Sequence, residues 1–537
     1  MKKTILSLLC AVVISALCSP LFSQYQSLLT PDRKLATTEK IIETFYVGDI
    51  DTTRIVEEAI KSMLKTLDPH STYSTPQETK ELNEPLQGNF SGIGIQFQML
   101  NDTLYVIQTT PGGPSEQVGI LAGDRILSAG DSIISGVKRK NREILNILRG
   151  PKGTEVFVKV KRAGQTEPMV FRIIRDDIPI YSVDAAYMVE PGIGFISLMR
   201  FGEDTPREFR EAVAKLRAQG MKSLIIDLQD NGGGYLQAAA EIAGMFLHRN
   251  EPIVFTEGER VGSVPFNAYD EGELLDIPVA VIVNQYSASA SEILSGAIQD
   301  NDRGVVVGRR TFGKGLVQRP FPFPDGSMIR LTVARYHTPS GRCIQKPYTS
   351  GDDEAYSKDL ATRYDLGEYF SPDSIVFSDT TIYHTLRLNR PLRGGGGIMP
   401  DVFVPLDTLP YPKYYRGLMA KGIYNRYAAQ YIDARRKALK EKYPTEEIFI
   451  RDFEVTPEMI DEIIAMGEAD SVKRNDEDLA RALPTISMVI KGLIGRDLFE
   501  QATYSKIANP SNPAFAKAVD ILREPAKYPD LLPVLSR

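Results

Sequence analysis

At 537 residues, with 42% hydrophobic and 25% charged side chains, the chain is too long for one compact core and too ordinary in composition for a disordered or membrane-embedded protein. Its length predicts roughly two to four domains. The formal charge of -6 is small and scattered, which leaves no electrostatic footprint for nucleic acid or an anionic lipid surface.

Lys2 and Lys3, an apolar run from Ile5 to Leu17 and then Ser19-Pro20-Leu21-Phe22-Ser23 have the order of a secretory signal. The run is shorter than the ~20 residues a spanning helix needs, so a signal over 1–23, cleaved near Ser23, is expected in preference to an anchor. Leu17 before Cys18 is too bulky for lipoprotein processing. Export, to a bacterial periplasm, is the expected localisation. Cys10 and Cys18 fall inside this segment, so Cys343 stands alone in the mature chain and no internal disulfide is expected. His70, His248, His337 and His384 lack any metal-binding spacing and read as surface or packing residues. No metal, cofactor or nucleic-acid partner is expected.

From Pro31 to about Leu86 the apolar positions Ile41, Ile42, Phe45, Ile55, Val56, Ala59, Ile60, Met63 and Leu64 repeat with a helical period that breaks at Asp68-Pro69. A helical region is expected over 24–87. Short β runs between glycine turns follow, predicting a β-rich module over 88–175. Within it Ser91-Gly92-Ile93-Gly94-Ile95, then Pro111-Gly-Gly-Pro-Ser-Glu-Gln-Val-Gly119 and Gly123-Asp124-x-Ile126-Leu127-x-x-Gly130-Asp131, resemble a PDZ domain. That resemblance implies that Gly92, Ile93, Gly94 and Ile95 hold the last residue of a peptide, with backbone N–H groups on its carboxylate and a strand edge along its chain. Ile93, Ile95 and Phe97 near the groove imply a preference for apolar tails.

Beyond Pro179, strands and helices alternate: Ile193–Ile196, helix Pro206–Gln219, Ser223–Leu228, helix Leu236–Leu247, Val279–Val283, helix Ala288–Gln299 and Val305–Val307. This order predicts a layered sheet covered by helices over 176–409. Leu316–Pro320 and Met328–Tyr336 flank the turn signal Pro324-Asp325-Gly326-Ser327. Residues 349–393 read as a polar excursion, and a charged helical pattern occupies 410–537.

Strand Val279–Val283 runs through Asn284-Gln-Tyr-Ser-Ala-Ser289-Ala-Ser-Glu292 into a helix, where free N–H groups and the helix dipole favour an oxyanion. Taken alone, Ser289-x-x-Glu292 reads more readily as a capping box, in which the hydroxyl merely caps the helix. Gly308, Gly313 and Lys314 have P-loop spacing, but Gly315 stands where the Mg²⁺-binding hydroxyl belongs and a strand, not a helix, follows. What remains is a lysine between glycines, able to approach a neighbouring loop.

Together, Ser-Ala-Ser289-Ala-Ser-Glu292, Ala297-Ile-Gln-Asp300 and Gly308-x-x-Thr311-Phe-Gly-Lys314-Gly-x-Val-Gln318 resemble the C-terminal processing, or tail-specific, proteases up to about Asp407. The resemblance implies a multidomain α+β and α/β chain, with the PDZ module before a ClpP/crotonase-like core and helical regions at both ends. It implies a serine endopeptidase in which Ser289 is the nucleophile, Lys314 the general base and Gln318 the residue orienting that base. A lysine base must be neutral, and burial lowers its pKa. The segment Asp227-Leu-Gln-Asp-Asn231-Gly-Gly-Gly234 resembles the family's glycine loop, with Gln229 in place of Arg and Gly232 in place of Pro or Ser. An oxyanion hole is therefore expected from Ala290 and Gly233, with Gly234 the neighbouring choice. The implied partners are proteins or peptides with free C-termini, and a homo-oligomer is left open. A non-catalytic tail-binding adaptor is the alternative, and a small-molecule hydrolase or isomerase a remoter one.

Overall fold

The computed structural model describes residues 30–162 and 164–528; the expected signal lies outside them. Helices Pro31–Phe45 and Thr52–Lys65 bury almost nothing, only Leu64 between them. The break at Asp68-Pro69 is a polar turn in which the Asp68 carboxylate accepts the N–H groups of His70 and Ser71. Strand Thr72–Ser74 and helix Pro76–Gln87, started by a Thr75/Glu78 capping box, complete this region.

The β-rich module is a sheet in the spatial order Ile95–Leu100, Thr103–Thr109, Arg125–Ala129, Glu155–Lys161, Met169–Ile174. Its core joins Leu104, Val106, Ile126, Val158 and Ile173 to Ile144 and Leu148 of helix Asn141–Leu148. Antiparallel strands Asn89–Gly92 and Asp176–Pro179 form the neck that connects it to the following layers.

Beyond the neck lies a six-stranded sheet, in the order Val183–Glu190, Ile193–Leu198, Ser223–Asp227, Val279–Val283, Val305–Gly308, Val402–Phe403. All neighbours are parallel except the first pair. The uninterrupted apolar runs at 279–283 and 305–307 have the character of parallel strands covered on both faces, and both are fully buried. Helices Thr205–Ala218, Leu236–Gly244 and Ala290–Asp300 cover one face. The other is covered by Pro513–Arg523, whose Phe515, Ala518 and Ile521 pack on Phe195, Ile282 and Val307. Helix Pro513–Arg523 is thus part of the layers around this sheet. The helices between 413 and 498 have their own core around Leu418, Tyr427, Phe449, Ile486 and Ile490.

A second sheet is built on strand Met328–His337, which pairs with Leu316–Pro322, Pro252–Gly258 and Thr72–Ser74. The turn at Pro324–Ser327 joins the first of these pairs, with Asp325 accepting the Ser327 N–H and hydroxyl. Strands Val183–Glu190, Pro252–Gly258 and Gly262–Asn267 were not among the sequence expectations. The 349–393 excursion carries helix Asp353–Asp365 and is fastened by buried polar contacts: Arg310 to Glu368, Arg363 to the carbonyls of Thr311 and Phe312, and Lys346 to Asp359. Among the described residues no helix is long and apolar enough to cross a membrane.

Candidate active site

Three serines occupy the junction between strand Val279–Val283 and helix Ala290–Asp300, and two are committed to structure. Ser287 donates its hydroxyl to the Leu228 carbonyl at 2.7 Å, and Ser291 donates to the Asn231 carbonyl at 2.8 Å. Both are fully buried, and both fasten the junction to the glycine loop. Ser289 is partly exposed, and it stands in a capping-box arrangement with Glu292 at the start of the helix. Its backbone, at φ 57° and ψ -113°, lies outside the regions a residue with a Cβ normally occupies. Such strain persists only where the surroundings over-determine it, as they do at sharp strand-to-helix turns carrying nucleophiles.

The surroundings here centre on Glu292, which is fully buried. Its Oε2 accepts the N–H groups of Ser289 at 2.8 Å and Lys314 at 2.9 Å. Its Oε1 accepts the Gly313 N–H at 2.7 Å and the Thr311 hydroxyl at 2.6 Å. Burial raises the Glu292 pKa, opposed by these four donors, each of which favours the carboxylate. Tyr336 adds a second link, its hydroxyl lying against the main-chain carbonyls of both Ser289, at 3.1 Å, and Lys314. Burial holds that phenol well above its usual pKa, so it remains a donor.

The surroundings of Lys314 push its amine towards the neutral form. Burial lowers its pKa most, Arg330 lowers it further, and Glu292 and Asp68 pull it back up. Among the described residues no hydrogen bond joins its amine to the Ser289 hydroxyl. Catalytic bonds of this kind are often long without substrate and tighten when it binds. The Gln318 carboxamide N–H groups donate to the Leu316 carbonyl at 3.2 Å and the Thr332 hydroxyl at 3.4 Å, and among the described residues no hydrogen bond joins Gln318 to the Lys314 amine.

The glycine loop lies directly against Ser289. A Cβ added to Gly233 would meet the Ala288 carbonyl oxygen at 2.7 Å, Ser289 Cβ at 2.8 Å and the Ala290 nitrogen at 2.9 Å. Ala290 opens its helix, where backbone N–H groups have no intrahelical partner. The Gly233 N–H, however, is bonded to Asn231 Oδ1 at 2.9 Å. Gly234, at φ 150°, has no room for a side chain against Phe201. Gln229, the residue in place of Arg, accepts from Asn512 at 2.6 Å and so ties the loop to the C-terminal helix.

In the β-rich module, Ile95–Leu100 is an edge strand, paired only with Thr103–Thr109. Gly92 ends the neck strand, and Gly94, at φ 72°, makes the turn into the edge strand. The Ile93 side chain is buried in the module core, so it does not line the groove as expected; Ile95 and Phe97 are only partly buried.

Sequence reading missed the joint role of Glu292, the Tyr336 bridge and the position of His70. The serine-to-glutamate spacing did mark Glu292, but as a helix cap. No local pattern marks Tyr336, whose partners are 47 and 22 residues away. His70, read as a packing residue, lies near enough to Lys314 for that charge, after burial itself, to depress its pKa, which falls to about 4.

Comparison with known proteins identifies the family. Residues 192–354 match the model of peptidase family S41, residues 91–169 that of the PDZ domain, and residues 414–500 that of a family of unknown function. A carboxy-terminal-processing protease of Bartonella bacilliformis is 35% identical over 371 residues, 68% of this chain and 82% of that protein. The carboxy-terminal processing protease CtpB of Bacillus subtilis is 35% identical over 316 residues, 58% of this chain and 65% of its own length. Among solved structures, a photosystem II D1 C-terminal processing protease is 26% identical, covering 70% of this chain and 88% of its own, with a TM-score of 0.35. This chain belongs to the carboxy-terminal-processing proteases of peptidase family S41, serine proteases that here carry a PDZ domain ahead of the catalytic core.

Proposed function

We propose that the chain binds the C-terminal tail of an exported protein on the edge strand of its PDZ module and cuts near that end through an acyl-enzyme on Ser289. In this reading Lys314, as a neutral amine, takes the Ser289 proton as the oxygen attacks the scissile carbonyl carbon. The ammonium then protonates the departing amine, and water releases the acyl group by the same exchange. The N–H of Ala290 and one from the glycine loop receive the oxyanion. Because the Gly233 N–H is engaged by Asn231, its use requires that bond to be exchanged, whereas Gly234 needs no such exchange. The mechanism calls for no metal or cofactor.

The observation that carries this reading is chemical economy at the junction. Of three serines, Ser289 alone has a hydroxyl that is not tied to the glycine loop, and the carboxylate that holds its N–H also holds that of a lysine with a depressed pKa. A decayed, tail-binding adaptor would have no reason to keep both. Periplasmic location and the partition into a signal over 1–23, an entry region over 24–87, the PDZ module over 88–175, the core over 176–409 and a C-terminal region over 410–537 belong to the same reading.

The test is hydrolysis of an unstructured substrate with an apolar tail, its products identified by mass spectrometry. Ser289→Ala and Lys314→Ala should each lower turnover by about a thousandfold or more, leaving binding of the tail peptide unchanged. Undiminished turnover in either variant would overturn the assignment of that residue.

A further inference from the structure

In the loop between the N-terminal helices and strand Thr72–Ser74 the polar residues Asp68 and Ser71 are buried, although the helices before it bury almost nothing. Asp68 accepts four donors: the N–H groups of His70 and Ser71, the Ser71 hydroxyl at 2.6 Å and the Thr332 hydroxyl at 3.0 Å. Ser71 in turn accepts the Thr332 N–H at 3.1 Å. The Thr332 hydroxyl accepts from Gln318, four residues beyond Lys314 on the neighbouring strand. A second chain of contacts approaches from the other side. His70 meets the Tyr356 hydroxyl at 2.7 Å, Gln345 donates to that hydroxyl at 3.5 Å, and Gln345 Oε1 accepts the Gly315 N–H at 2.8 Å.

We propose that the Asp68–Ser71 loop is a positioning element of the catalytic centre: Asp68 through Thr332 and Gln318, and His70 through Tyr356 and Gln345, hold the Lys314 segment from two sides. The proposal rests on Lys314 as the base. Anchoring two exposed helices would not require contacts that converge on both flanks of one lysine. The charged and titratable groups facing that lysine are Arg330 from its strand, Glu292 from its helix and Asp68 and His70 from this loop; Lys346 bears on His70. The Asp68 carboxylate favours the ammonium form of Lys314, so the loop sets the protonation of the base as well as its place.

The test uses the full chain and the pH profile of kcat/KM on the unstructured substrate. Asp68→Asn should lower kcat about tenfold or more with little change in KM, because the base is no longer held in register. It should also move the acid limb to lower pH, a shift that a merely structural residue would not produce. Asp68→Glu, which keeps the charge, should return the limb towards its original position. Thr332→Val breaks the link but keeps every charge, and should lower kcat while leaving the limb in place. An Asp68→Asn enzyme with unchanged kcat or an unmoved limb overturns the proposal. Should Asp68→Asn fail to fold, an unchanged kcat in Thr332→Val overturns it. Lys314→Ala, assayed in parallel, separates the two readings: full activity there removes the base assignment and this inference with it. An inactive Lys314→Ala beside an unmoved Asp68→Asn profile removes only the loop's role.

Discussion

The backbone N–H groups of Ser289 and Lys314 share one acceptor, the Oε2 atom of Glu292, at 2.8 and 2.9 Å. Twenty-five positions separate the two residues in sequence, yet a single buried carboxylate fixes both main chains, and the Tyr336 hydroxyl spans their carbonyls on the other side. Ser289 and Lys314 are therefore positioned as one unit by their main chains.

Glu292→Gln tests that unit. A carboxamide has one acceptor oxygen where the carboxylate meets four donors, so about two buried donors lose their partner, at a cost on the order of 2–4 kcal/mol. Turnover should fall by about tenfold to a hundredfold as serine and lysine lose their common anchor. The Glu292 charge favours the ammonium form of Lys314, so the acid limb of activity should also shift to lower pH. Denaturant unfolding and a pH–rate profile read the two effects separately; a variant as stable and as active as the parent would show that the carboxylate is only a helix cap.

Arg330 acts on the same lysine with the opposite sign. Its positive charge disfavours a second ammonium nearby and, after burial, is the largest cause of the lowered Lys314 pKa. Arg330→Gln should therefore raise that pKa and move the acid limb of kcat/KM to higher pH. Activity at neutral pH drops, and alkaline pH recovers it. A limb that stays fixed, or moves downward, would mean that the titrating base is not Lys314.

How much of this was legible in the sequence follows from the range of the interactions. The elbow at 284–292, the lysine between glycines and the PDZ loop are local patterns, in which neighbouring residue types fix the turn, and they could be read directly. The parallel strands at 279–283 and 305–307 showed as apolar runs because both their faces are covered. Helix Pro513–Arg523 looked like the helices before it; only the fold reveals that its apolar face completes the protease sheet rather than the helical cluster. Strand Val183–Glu190 has Asp184 and Tyr187 among its apolar positions, which blurs the two-residue period. The contact of Asp68 with Thr332 joins segments far apart in sequence, and nothing in either segment specifies its partner; the approach of Gly233 to the Ser289 elbow was expected only through the family resemblance.

Gly233 is held to glycine by close approach as well as by conformation. At φ 100° an alanine is strained, and its Cβ would press on the Ala288 carbonyl, on Ser289 and on the Ala290 nitrogen. Gly233→Ala should push the loop away from the elbow, lowering stability by about 1–3 kcal/mol. The loss in kcat should exceed the loss in tail-peptide affinity. Retention of full turnover by a folded Gly233→Ala protein would show that the loop need not touch the elbow for catalysis.

Phe515 tests whether helix Pro513–Arg523 belongs to the protease layers. Its ring is buried against the sheet and packs edge-on to Phe195, with centroids 5.4 Å apart, while Asn512 at the helix start bonds Gln229 of the glycine loop. Truncating so large a buried side chain costs about 3–5 kcal/mol where the neighbours cannot collapse into the space, and strands Ile193–Leu198, Ser223–Asp227 and Val279–Val283 line that space. Phe515→Ala should therefore speed hydrogen exchange in those three strands and lower the temperature at which proteolytic activity is lost. The cluster around Phe449 and Ile490, which has a core of its own, should stay protected. If exchange quickened only in the helices between 413 and 498, the helix would belong to that cluster and the sheet would have to be covered by something else.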